Sequence, residues 1–487
     1  MTRELLKNSA ILSVGRFGSK FLGLISTLIV ARILAPEDYG IIAAAMIFQD
    51  FANRFQNIGF NQNIITSESV ERKFIDTIFY TKFILSFLVC LVLFLSADTI
   101  SNWLKVPESG SVIKLISWIL VIQSCSNLNL ILQERDKKFK PTVVISIIAK
   151  FLTILLTISL AVLLGNYWAL AISMLLSSML TVLLSYTVVT PYIPKLFCKE
   201  ELTNIASFSK WIFFRQMSEF LNNKIPHFTL ARYFPGDMLG LFTMTGSLAN
   251  MLVQEVSASV DKANLSQLSR KLDTMVGTEE RKRQITDNFV RIFRIKNLLT
   301  IPAYIFCVFY GELVISVLLG EKWIGAATIF SLLCIRAIFL SYRLSVLSIL
   351  MSLRNTKAGF SISAFSMFIH LGFAVLAFVL DDGMLLVYGT IISNICCAIL
   401  SVYLFKWFTG FFPFEALKDA FIFLSAITIV GLICSIVIEE VWLSVIAFIC
   451  LTVLVLFGFK KFGGYVELDQ VLSMIKTRLR QKRRQPR

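Results

Sequence analysis

The chain has 487 residues, of which 56% are hydrophobic and only 16% charged, and 43 of them are phenylalanine. No water-facing surface can be assembled from what remains, which excludes a soluble protein and leaves a polytopic membrane protein. The net charge of +16 must then reflect how cations distribute between the two sides of a bilayer.

Apolar runs of roughly 20 residues, the length a helix needs to cross ~30 Å of hydrocarbon, recur along the whole sequence, whereas barrel strands are short and alternating. They place spans near 9–34, 40–65, 76–98, 110–133, 142–164, 167–190, 208–233, 238–262, 296–319, 327–350, 359–380, 384–405, 418–438 and 441–459. The first run carries Arg16 and Lys20 and no small-residue cleavage site follows it, so it reads as the first span and not as a cleaved leader. Eight of the nine cysteines lie within apolar runs as small hydrophobes, with only Cys198 in a connection. No CxxC or His-rich cluster accompanies them, so neither a cofactor nor a metal site is expected.

If all fourteen runs cross, Lys and Arg gather in the even-numbered connections and the tail. These hold Arg135, Lys137, Lys138 and Lys140, then Lys195 and Lys199, nine cations from Lys262 to Lys296, Arg354 and Lys357, and nine more from Lys460 to Arg487. The odd connections (PEDY, FPGD, DDG, EE) are short and acidic or neutral. Positive charge marks the cytoplasmic side, so both termini are expected in the cytoplasm. The basic tail, residues 461–487, is expected against anionic lipid headgroups and not on nucleic acid.

ARILAPEDYG at 31–40 and ARYFPGDMLG at 231–240 lay out Ala-Arg, Pro, Asp and Gly in nearly one pattern. Arg32 and Arg232 suit helix C-termini and snorkel to headgroups, Pro36 and Pro235 stop a helix, and Asp38 and Asp237 are placed to cap the next. The register continues inward. Asp50, Arg54, Asn57 and Asn61 share one face of the second span; Asn250, Gln254, Ser257 and Asp261 share one face of the eighth, shifted by the same 200 positions. Residues 1–200 and 201–406 are therefore expected to be parallel six-helix repeats, an N-lobe of helices 1–6 and a C-lobe of helices 7–12, with helices 13 and 14 added at 407–460. The fold expected is all-α and polytopic, with about 14 transmembrane helices.

Within the spans lie Arg16, Lys20, Arg54, Lys150, Arg215, Lys224, Arg336 and Arg343 against Asp50, Glu219 and Glu255. At roughly 2.5–3.5 kcal/mol for each charge at a helix centre, lipid exposure of the whole set costs tens of kcal/mol, so they face protein or water. Asp50 with Arg54, and Arg215 with Glu219, are spaced for ion pairs along a helix, while Lys20 and Lys150 are placed to snorkel toward the cytoplasm. The excess of cations points to a water-filled cavity between the two bundles that takes an anionic solute. Arg16, Arg54, Arg215, Lys224, Arg336 and Arg343 are its candidate ligands, and Asn57, Asn61, Asn250, Gln254, Ser257 and Asp261 its polar stripe. Pro226 and Pro302 supply the bending that alternating access needs.

The segment LIVARILAPEDYGIIAAAMIFQDFANRFQNIGFNQNII, its echo LARYFPGDMLGLFTM, and LLGEKWIGAATIFSLLCI at 318–335 carry a family likeness. They resemble the polysaccharide transport family, the Wzx-type flippases of the multidrug/oligosaccharidyl-lipid/polysaccharide exporter superfamily, in its colanic acid exporter branch. The resemblance runs over nearly the whole length. It implies that an undecaprenyl-diphosphate-linked oligosaccharide repeat unit is flipped across a bacterial inner membrane by alternating access between two six-helix lobes. It also implies coupling to an ion or proton gradient, for which Asp50, Glu219 and Glu255 are the titrating candidates, and partners among the polymerase or glycosyltransferases of the same pathway. Trp323 is expected in the outer aromatic belt, with Glu321 and Lys322 in the headgroups.

Two other readings compete. A cation or drug exporter of the same superfamily needs acidic groups in its cavity, which the excess of cations disfavours. A membrane enzyme acting on lipid-linked sugars needs a large outer loop carrying catalytic groups. Here the outer connections are short, and the only histidines, His227 and His370, both lie in spans; no enzymatic activity is expected.

Overall fold

The computed structural model describes residues 18–19, 21–56, 60, 64, 71–136, 138–195, 197–254, 278–352 and 356–462, and among them the chain forms helices and no strands. The first eight helices are α1 (Phe21–Ile33), α2 (Pro36–Gln56), α3 (Arg72–Leu104), α4 (Glu108–Ser124), α5 (Asn129–Arg135), α6 (Lys140–Leu164), α7 (Trp168–Val188) and α8 (Lys199–Tyr233). The others are α9 (Gly236–Leu252), α10 (Thr278–Phe309), α11 (Gly311–Leu318), α12 (Ala327–Ser352), α13 (Thr356–Leu380), α14 (Met384–Thr409), α15 (Phe414–Val437) and α16 (Val441–Phe462).

Each expected span meets a helix of this series. Among the described residues nine helices are long and apolar enough to cross a bilayer, and α4 with α5 makes a tenth as a pair bent by 59°. Of the four helices that meet an expected span and fall short, α1 is apolar but short within the described residues, and α2, α8 and α9 carry polar or charged groups. Only 22–50% of each qualifying span is buried. The rest presents Leu, Ile and Phe, among them Leu95, Leu163, Phe421 and Ile436, each at least 71% exposed. Water cannot wet such a surface favourably; hydrocarbon can, and helices leave no backbone group unpaired within it.

The bend between α4 and α5 is built around the buried Asn127. Its Nδ2 donates to the carbonyls of Ser185, Val189 and Thr190 at 3.0–3.2 Å, and its Oδ1 accepts from the backbone N–H of Asn129 and Tyr192. One amide thus fastens the bend to the end of α7. Tyr192 in turn donates to the buried Asp76 at 2.6 Å, and burial together with this bond to a carboxylate pushes its phenol up. The ninth span departs from expectation: α10 starts at Thr278 and ends at Phe309, and α11 continues it only after a break. At that break Ser331 packs so closely on Gly311 that a Cβ there would overlap its hydroxyl.

Contacts divide the chain into two compact units: residues 1–244 with 316–325 and 378–383, and residues 245–315 with 326–377 and 384–487. In the second unit α10 packs against α12 and α15. Its core includes Phe289, Phe293, Leu350 and Phe405, flanked by an Arg294–Asp419 ion pair at 2.6 Å.

In the first unit α2 packs along α8. The helices on either side of each hairpin end and begin 200 positions apart, α1 at Ile33 and α8 at Tyr233, α2 at Pro36 and α9 at Gly236. The two hairpins touch through their glycines: a Cβ on Gly40 would overlap the carbonyl oxygen of Gly236, and one on Gly240 would overlap that of Pro36. Asp38 closes the first hairpin as an N3 carboxylate reaching back, accepting from Ala35 N at 3.0 Å, and it also accepts from Tyr167 N at 2.9 Å. Asp38→Ala is therefore expected to destabilise the chain by about 1–2 kcal/mol, measured as a lowered unfolding temperature in detergent, with Asp38→Asn recovering part of it.

The segment 316–325 belongs to the same unit and corrects one expectation. Trp323 is fully buried, not in an aromatic belt: its Nε1 donates to Ala31 O at 2.7 Å, and its ring meets Tyr39 edge-on at 5.2 Å. Arg32 donates to Val317 O, and Lys322 to Ile33 O at 3.2 Å. The physical reason is that α1 stops ahead of Pro36 and leaves its last carbonyls without intrahelical donors, which the Trp323 and Lys322 bonds help to satisfy, while Arg32 does the same for Val317 O at the end of α11.

Candidate functional site

The packing of α2 on α8 decides where the first polar stripe points. Phe48, Phe51 and Phe55 meet Phe228, Phe220 and Phe213 with ring centroids 5.6, 5.5 and 4.9 Å apart. Asp50, between them in sequence, takes Lys224 of α8 as its partner, Nζ to Oδ2 2.7 Å, and not Arg54 on its own helix. The two side chains are 34% and 20% exposed, so the pair is worth more than a surface contact and less than a dry one. Lys224→Met is expected to lower stability by about 1–2 kcal/mol. Exchanging the charges, Asp50→Lys with Lys224→Asp, should restore most of it; an exchange that unfolds as early as the single variant counts against the pair.

Next to this pair the first unit forms an open cavity of about 780 Å³. Its walls come from α1, α2, α3, α4, α6 and α7, and include Asp50, Gln49, Asn53, Lys82, Lys150 and ten Ser or Thr hydroxyls. Lys82 is 7% exposed and has no ion-pair partner among the described residues. Lys150 lies over Gly23, its Cε 2.9 Å from where a Cβ would stand, and lines the cavity. Gln49 is 4% exposed, and neither of its amide atoms finds a protein partner; Ser178 Oγ also lacks one. Lys82 was not among the charges singled out from the sequence. Its signal is a lysine ten residues into the 33-residue helix α3, past the charged first turn.

In the second unit Asn250, the 200-residue counterpart of Asp50, accepts from Arg336 Nη2 of α12. Tyr304 donates to Ala249 O at 2.9 Å beside it. Arg336 Nε is buried with no acceptor among the described residues. Lys296 is 1% exposed and donates to Ser345 Oγ and Ser341 O. Arg54 and Arg343 are half-buried, and Glu219 and Gln254 exposed. Arg16, Asn57, Asn61, Glu255, Ser257, Asp261 and the side chain of Arg215 lie outside the described residues. Among the described residues no cluster of His, Cys, Asp and Glu could hold a metal.

Residues 29–328 match the family described as polysaccharide biosynthesis protein. The chain is 22% identical over 328 residues to the succinoglycan biosynthesis transport protein ExoT of Rhizobium meliloti, a match covering 67% of this chain and 64% of that protein, just under two thirds of its length. It is 20% identical over 388 residues to the lipopolysaccharide biosynthesis protein WzxC of Escherichia coli, covering 78% and 77%. Among solved structures, the lipid II flippase MurJ in an inward closed conformation matches with a TM-score of 0.73 at 13% identity, over 92% of this chain and 98% of that one. An inward-facing multidrug resistance MATE family transporter of the MOP superfamily matches with a TM-score of 0.63 at 12% identity, over 80% and 94%. At these identities the likeness shows the fold, which is that of a MurJ- and MATE-like transporter.

Proposed function

The chain belongs to the polysaccharide biosynthesis protein family, and from that premise we propose that it flips an undecaprenyl-diphosphate-linked oligosaccharide repeat unit across the bacterial inner membrane. The observation that carries this reading is the flippase fold over 92% of the chain, in a protein whose curated relatives are named for succinoglycan transport and lipopolysaccharide biosynthesis. Transport proceeds by alternating access between an N-lobe (1–200) and a C-lobe (201–406), with helices beyond them (407–460) and a basic tail (461–487) on anionic lipid. Both termini face the cytoplasm, where pathway polymerases and glycosyltransferases are the natural partners.

Arg336 is the best-supported cargo ligand, because it combines burial with a guanidinium N–H that no described side chain accepts. Arg16, Arg54, Arg215, Lys224 and Arg343 complete the proposed cationic lining, and Asp50, Glu219 and Glu255 the coupling candidates. A cation exporter of the same fold is the rival. The two lysines in the first unit's cavity disfavour it, since the one carboxylate there is already held by Lys224.

Depleting the protein tests the reading. The expected result is a lipid-linked oligosaccharide accumulating on the cytoplasmic leaflet, and the absence of any such lipid would overturn it. Arg336→Ala, with membrane level unchanged, is expected to reduce polymer output at least tenfold; full output removes Arg336 from the cargo path.

A further inference from the structure

We propose that the cavity in the first unit is a binding site for a single small anion, held between Lys82 and Lys150 as their counter-charge. The site goes beyond the transport reading and does not depend on what is carried.

Lys82 of α3 and Lys150 of α6 each stand ten residues, about 15 Å, past the start of their helix, and both line this cavity. Two ammonium groups facing one cavity, within membrane helices, favour an opposite charge close by. The only carboxylate among the described residues of the lining, Asp50, has its charge taken by Lys224 at 2.7 Å. Most of the hydroxyls do not change this balance. Thr153, Thr157, Ser173 and Thr181 donate to backbone carbonyls of their own helices, as do Thr27 and Ser185. The groups left facing the space include the ammonium groups of Lys82 and Lys150, the Ser178 hydroxyl, and the amide of Gln49, which is nine-tenths buried and whose Nε2 and Oε1 both lack a partner among the described residues. A cation is repelled by that set, and an anion completes it.

The lining also argues against a sugar ring or a planar dye as the occupant. In a chain with 43 phenylalanines, none of the described residues around this cavity is aromatic, so they offer no face on which such a ring can stack. Gly23 adds a packing reason for the geometry, since any side chain there would push Lys150 away from the cavity.

The test uses the full chain purified in detergent, with sodium bromide as the probe and no lipid-linked sugar present. Bromide is expected to raise the unfolding temperature saturably, on the order of 2 °C. The saturable rise should vanish in the Lys82→Gln, Lys150→Gln double variant and persist in Lys82→Arg. General salt effects act on parent and variant alike, so an equal rise in the double variant, or none in the parent, overturns the proposal. If the double variant does not fold, Lys150→Gln alone decides: a bromide midpoint weakened at least tenfold supports the site, and an unchanged midpoint refutes it. Because the assay involves no transport, its failure leaves the flippase reading standing, and failure of the flippase reading leaves this site standing.

Discussion

Replacing Gly40 or Gly240 by alanine is expected to cut polymer output at least tenfold while the protein still reaches the membrane. Each glycine stands where the other hairpin's backbone passes. A Cβ on Gly40 would overlap Gly236 O, and a Cβ on Gly240 would overlap Pro36 O and lie 2.9 Å from Gly40 N. All three neighbours are backbone atoms at the ends of helices, so no side chain can turn aside. Relief requires the hairpins to separate by roughly 1 Å, which a close-packed interior does not grant without losing its other contacts. Those contacts include the Asp38 bond to Tyr167 N and the Trp323 bond to Ala31 O. On the proposed alternating-access reading this is the closure of one end of the pathway, so the variants are expected to lose transport more than they lose stability. Gly325→Ala is the control, because a Cβ there meets nothing within 4 Å. Equal polymer output from all three variants would contradict the account of the hairpins.

Trp323→Ala is expected to be the most destabilising single change, by roughly 3–5 kcal/mol. The indole is among the largest side chains that are fully buried, it packs against Tyr39, and its N–H occupies a carbonyl at the end of α1. Truncation removes the ring and leaves Ala31 O without its donor. Trp323→Phe separates the two contributions, since it keeps an aromatic ring beside Tyr39 but not the N–H; a loss of about 1–2 kcal/mol is expected. Thermal unfolding in detergent reads both. Wild-type stability for Trp323→Ala would mean that segment 316–325 does not hold the hairpin.

What was legible from sequence follows from the range of each interaction. Helix positions came through because hydropathy and length are local, and the register of 200 came through because Arg32 and Arg232, Gly40 and Gly240, and Asp50 and Asn250 repeat in order. The partner of Asp50 did not. Arg54 is the nearest cation along the helix, but α8 lies against that face of α2 and supplies Lys224. Trp323 near the end of a span reads as a belt residue until its acceptor, 292 positions away, is known. Lys82 was hidden for the opposite reason: the apolar residues around it carry the span, so a single lysine leaves the window's hydropathy high. Its role emerges only when α6 brings Lys150 to the same cavity.

The central claim is that this chain moves a lipid-linked oligosaccharide between leaflets, and the most direct measurement is leaflet accessibility in proteoliposomes. The purified protein is reconstituted with an undecaprenyl-diphosphate-linked oligosaccharide, and the fraction of that lipid reachable from outside is followed over time. The account predicts a protein-dependent rise in the reachable fraction, reduced at least tenfold in rate by Arg336→Ala and by Gly40→Ala. An accessible fraction that stays at the protein-free level, with the chain folded and a cationic dye transported instead, would contradict it.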